Sequence, residues 1–148
     1  MAAYPSTTTT LSEQTAKPVA YGAPTVYTIE KTFDLDALMD DKVANADIVN
    51  LFTLPANTVI LATRLETVVA SVGGTGTCTA KLRFGTTDIG AATNILAAAV
   101  GVGGNATVNL PLAVGTSDVL VNAVIALGGG TTTTNPTIKA TLLVCQMA

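Results

Sequence analysis

The chain has no histidine and no tryptophan, only two cysteines, and few charged side chains. Each shortage excludes something. Without histidine there is no imidazole base, no Ser–His or Cys–His nucleophile, and none of the commonest metal ligand. Cys78 and Cys145 lie far apart and outside any CxxC motif, so a four-ligand zinc site has no suitable spacing. They read as reduced core thiols of a protein made in a cytoplasm. The lack of tryptophan argues against a sugar-binding groove, which needs broad aromatic platforms. The seven basic residues are scattered between Lys17 and Lys139 and the net charge is −3, so nucleic acid finds no electrostatic footprint. The longest weakly polar stretch, Ile95 to Gly104, is too short and too glycine-rich to span a bilayer. Met1 to Thr10 has neither the basic nor the apolar region of a secretory signal.

Charged residues make up 11% of the chain, against about 25% in ordinary soluble domains. Two explanations compete: threonine and asparagine hydrate the surface unaided, or much of the surface is covered in an assembly, where exposed charge would have to be desolvated. What the chain does have is threonine, 26 in 148 residues, and 13 glycines. Branched side chains suit a pleated surface and glycine supplies positive φ in tight turns, so the composition points to short strands joined by turns. The length fits one domain with its own core.

Residues 1–24 stand apart. Pro5, Pro18, Pro24 and the run Thr7 to Thr10 lie in a polar segment without periodicity, which reads as an extended N-terminal arm: a tail, or a strap ordered against a neighbour. The domain proper is then 25–148. Thr25 to Phe33 alternates, with Tyr27, Ile29 and Phe33 on one face and Thr28, Glu30 and Thr32 on the other. Asp34 to Asp47 is an acidic loop with room for one helical turn. Ile48 to Leu54 is a strand, Pro55 to Thr58 a turn, and Val59 to Ser71 a long strand with Leu61, Leu65 and Val69 on one face. Gly73 to Gly76 closes a hairpin. Cys78, Ala80, Leu82 and Phe84 then alternate with Thr77, Thr79, Lys81 and Arg83, the cleanest half-buried strand in the chain. Gly85 to Gly90 is a loop, and the alanines of Ala91 to Val100 allow a short helix. Ala106 to Leu112, Val119 to Leu127 and Pro136 to Gln146 are further strands. Seven or eight strands with frequent turns and no internal repeat predict an all-β, single β-sandwich of jelly-roll-like type.

Three weak motifs carry no chemistry on inspection. Asp34, Asp36, Asp40 and Asp41 cluster carboxylates but lack the alternating ligands and central glycine of a calcium loop. Gly101, Gly103 and Gly104 have no lysine at the offset a phosphate loop needs. The ten acids leave little for a pair of glycosidase carboxylates, five of them falling between Asp34 and Asp47. The sequence therefore assigns no catalytic, cofactor-binding or metal-binding residue and reads as non-enzymatic.

The stretch Ala46-Asp47-Ile48-Val49-Asn50-Leu51-Phe52-Thr53-Leu54-Pro55-Ala56-Asn57-Thr58-Val59-Ile60-Leu61 resembles small structural proteins of tailed phages, in which Leu-Phe-Thr-Leu-Pro-Ala precedes a long strand. The similarity continues loosely through Ala80 to Gly90 and the threonine-rich Gly128 to Val144, so it spans about residues 25–146 and leaves the arm outside. The resemblance implies a bacteriophage virion component, above all a capsid cement or decoration protein on the head exterior, a homotrimer whose partner is the major capsid protein. Tail, fibre and head–tail connector subunits stay open as alternatives, as does a carbohydrate-binding attachment module.

Overall fold

Alternation of buried and exposed side chains makes extended strands here, and among the residues described all regular structure is strand except at Leu35, which is helical. The computed structural model describes residues 3–4, 25–35, 43–72, 76–97, 100–102, 110–128 and 132–147. Its strands are β1 (Ala3–Tyr4), β2 (Thr25–Asp34), β3 (Ile48–Leu54), β4 (Thr58–Val69), β5 (Thr77–Phe84), β6 (Thr87–Asp88), β7 (Thr93–Asn94), β8 (Val100–Val102), β9 (Leu112–Ala113), β10 (Val119–Gly128) and β11 (Thr137–Gln146).

They form two sheets. One runs β1-β3-β10-β5-β6, with β7 also on β5; the other runs β2-β11-β4-β8, with β9 also on β4. The long strands pair antiparallel, while β1 lies parallel to β3 through Ala3–Ile48 and Tyr4–Val49. The result is the sandwich expected from the turn spacing. Its core holds inward residues of both sheets, among them Ile29 and Phe33 of β2, Val49, Phe52 and Leu54 of β3, and Ile138, Leu142 and Val144 of β11. Across the gap between the sheets, β4 touches β5 and β7.

Strand parity departs from simple alternation at three bulges, and each departure corrects a reading of the sequence. In the β4–β11 ladder, Leu143 faces Ala62 while Val144 faces Ile60, so Leu61 is the extra residue. Ile60, Thr63 and Leu65 therefore point inward, and Leu61 and Val69 do not join Leu65 on one face. A second bulge puts Val68 beside Val69, and both are exposed. In β3, Phe52 faces Val121 while Asn50 faces Asn122, which makes Leu51 the extra residue and lets Leu51 and Phe52 both be buried.

The threonines serve a purpose inside the sandwich as well as on it. Thr63 Oγ1 donates to Ile89 O at 2.8 Å, Thr67 Oγ1 to Asn94 O at 2.9 Å, and Thr93 Oγ1 to Leu65 O at 3.3 Å. These bonds fasten residues 89–94 across the side of the sandwich between β4 and β5. A helix in Ala91 to Val100 is overturned among the described residues: Thr93 and Asn94 pair with Ala80 and Thr79, followed by bends at 95–97. Sheet pairing and inward hydroxyls outweigh the weak helical preference of the alanines. The loop expected at Gly85 to Gly90 is a tight hairpin instead, with Gly85 at φ 57° and Arg83 and Phe84 facing Asp88 and Thr87. The strand expected over Ala106 to Leu112 survives among the described residues only as Leu112–Ala113, after a cis Leu110–Pro111 bond. The turn at 73–75, the bulk of the arm, and residues 106–109 lie outside the described residues.

Candidate functional site

The acidic cluster read from the sequence does not assemble among the described residues. Asp34 ends β2 and is exposed, Asp36, Asp40 and Asp41 lie outside the described residues, and Asp47 is buried with its carboxylate accepting from Ala44 N at 2.7 Å. Gly101 sits in β8 opposite Leu65, and Gly103 and Gly104 lie outside the described residues. Among the described residues no group of three or more metal-ligating side chains comes together, and no helix is long and apolar enough to cross a membrane. Cys78 and Cys145 are both buried and free; Cys78 belongs to the core, whereas Cys145 lies beside Met147, sulfur to sulfur at 4.0 Å. A shallow depression between Asn57, Val59, Ala113, Gly115 and Met147 is largely apolar and open.

What the molecule offers instead is surface. On the outer face of β5, Asp88 accepts from Lys81 Nζ at 2.5 Å and from Arg83 Nε at 3.1 Å. Partial burial pushes the Asp88 carboxyl upward, but the bonds and charges of Lys81 and Arg83 outweigh it and hold the group below its ordinary value. On the outer face of the other sheet Lys139 pairs with Glu30 at 2.9 Å and Arg64 with Glu66 at 3.0 Å. Such exposed pairs are worth about 0–1 kcal/mol each and act mainly by keeping charge solvated and organised.

At the end of the sandwich where β4 stops, Val68, Val69 and Val72 are exposed together. This tip is held firmly: Ser71 Oγ donates to Thr134 O, Val72 N to Thr134 Oγ1 at 2.8 Å, and Thr133 N and Oγ1 both to Val72 O at 2.7 Å. An apolar tip on a stiff base suits contact with another protein better than contact with water.

The strongest anomaly is on β2. Parity places Lys31 on the inward face between Ile29 and Phe33 and opposite Ala140, and its side chain is 2% exposed. Among the described residues its ammonium has no hydrogen-bond partner, whereas Arg64, Lys81, Arg83 and Lys139 each have a carboxylate. Burial lowers its pKa from the usual lysine value. A buried charge left without a partner costs several kcal/mol after relaxation, roughly, so this residue is not explained by packing. It was visible in the sequence as the odd-numbered cation in an otherwise apolar row.

No family model matches the chain, and no curated protein matches it. Two solved structures share its fold. One is a chain in the capsid of Ralstonia phage GP4, 19% identical, aligned over 91% of this chain and 94% of that chain with a TM-score of 0.62. The other is a chain in the capsid asymmetric unit of cyanophage Pam1, 16% identical, aligned over 96% of this chain and 99% of that chain with a TM-score of 0.58.

Proposed function

We propose that this chain is a non-enzymatic cement or decoration protein of a tailed-phage head, bound as a homotrimer to the capsid exterior and stabilising contacts between major capsid protein subunits. The observation that carries the reading is the two-sheet fold shared, nearly end to end, with chains from two phage capsids. The physical features agree with it. Few charges, ion-paired outer faces and a braced apolar tip suit a rigid clamp that works by buried area. Each contact of such a clamp need only be modest, because a symmetric oligomer engages several sites at once and avidity multiplies weak affinities.

In this reading residues 1–24 are an attachment arm, whose Ala3 and Tyr4 pair with β3, and 25–148 the folded clamp, and the arm serves to reach the shell or a neighbouring protomer. Purified chain added to heads that lack it should bind saturably and raise the temperature at which they rupture. A chain lacking residues 1–24 should keep the melting transition of the full chain to within a few degrees while binding heads more weakly. Full occupancy by the truncated chain would refute the arm's role, and no binding by the full chain would refute the cement reading itself.

A further inference from the structure

Sheet edges are templates for pairing, and natural proteins cover or blunt long flat ones. Among the described residues β2 is hydrogen-bonded on one side only, to β11, through ten residue pairs from Thr25–Gln146 to Asp34–Thr137. That ladder has no bulge, unlike those of β3 with β10 and β4 with β11. Among the described residues that edge is therefore long, unpaired and free of bulges. Beside it, facing into the sandwich, lies the unpaired ammonium of Lys31, flanked by Ile29 and Phe33.

We propose that the free edge of β2 docks an extended segment of a neighbouring shell protein that carries a carboxylate facing Lys31. The inference rests on the cement reading for the identity of the neighbour, and on charge and geometry for the rest. A strand added to β2 alternates its own side chains between the two faces, so every second one joins the row Ile29, Lys31, Phe33. The complement of that row is apolar, acidic, apolar at successive inward positions. Main-chain bonds along the edge supply affinity and the inward side chains supply selectivity. The outward row does not serve equally well, because Glu30 on that face is already paired with Lys139. The charge that burdens the free chain thus becomes a paired charge in the assembly, and a wrong strand without the carboxylate leaves Lys31 unrelieved.

The variant Lys31→Met separates this role from a structural one. Methionine keeps the length and removes the charge, so the free variant should melt at a higher temperature than the natural chain. Its affinity for shells purified without this chain should fall at least tenfold, while Glu30→Gln on the exposed face should bind as the natural chain does. A Lys31→Met chain that binds shells undiminished overturns the proposal and leaves the cement reading standing. A lower melting temperature overturns it too, because Lys31 would then have its partner within its own chain. A concentration-dependent oligomer of the natural chain that Lys31→Met abolishes would make a second copy the occupant in place of the shell protein. Failure of the natural chain to bind shells at all removes both readings together.

Discussion

Phe52→Ala should lower the stability of the isolated chain more than any other single replacement discussed for this molecule, by about 3–5 kcal/mol. Phe52 is fully buried on β3, adjacent in sequence to the bulge residue Leu51, which is fully buried as well. Because the bulge delivers two consecutive large side chains into the interior, the loss of one ring leaves a hole that strand alternation alone cannot refill. β3 also has little to hold it on its outer side, where β1 pairs with only Ile48 and Val49. For a chain of this size the midpoint should drop by about 10–15 °C, since roughly 3 °C accompanies each kcal/mol. Thermal unfolding followed by far-ultraviolet circular dichroism gives the number. A drop under about 3 °C would mean that the ring packs loosely and that β3 is not part of the cooperative core.

Asn135→Ala should have the second largest effect. Asn135 is buried just before β11, its Oδ1 accepting from Val43 N at 2.9 Å and its Nδ2 reaching Leu35 O at 3.5 Å. Leu35 and Val43 are both buried, and each flanks the acidic segment of residues 36–42. One side chain therefore ties together the two ends of the connection between sheets. Alanine leaves the buried Val43 amide without its acceptor, which costs about 1–3 kcal/mol, and it leaves a cavity besides. Asn135→Asp keeps the volume and an acceptor for Val43 N but loses the donor to Leu35 O and sets a buried charge against that carbonyl, so it should destabilise the chain at neutral pH as well. Thermal unfolding checks both variants, and an Asn135→Ala midpoint within about 1 °C of the natural chain would show that this side chain does not hold the connection.

Much of this fold was legible because its best strands alternate cleanly. β2, β5, β10 and β11 fall within a residue of the ranges expected, and β3 falls on the range expected. Period two is a local property of a strand, and the side chains of β5 report it almost without exception. The errors have one cause. A bulge is defined by a partner strand, and no feature of residues 58–69 alone announces that Leu61 and Val68 are the unpaired ones. The same holds for Ala91 to Val100, whose alanines are neutral until β5 and the hydroxyls of Thr67 and Thr93 claim that backbone. Lys31 is the instructive case. The parity that puts Tyr27, Ile29 and Phe33 inside also puts Lys31 inside, but only the structure shows that none of the described residues answers its charge.

Function was legible mainly by exclusion. The lack of histidine removes imidazole-based catalytic designs before any geometry is known, and the low charge is compatible with a surface covered in an assembly or hydrated by threonine and asparagine. Which surfaces a partner would cover cannot be written in the sequence of one chain. The braced tip of Val68, Val69 and Val72 became evident only through hydrogen bonds between residues about sixty positions apart.

The copy number of this chain in purified particles, measured by quantitative mass spectrometry against the major shell protein, is the most direct test of the cement reading. A ratio near one, or a simple fraction matching the threefold positions of the shell lattice, is the result expected of a protein that clamps shell subunits throughout the head. A few to a few dozen copies per particle would place it in the tail or connector instead, and its absence from particles would contradict a virion role altogether.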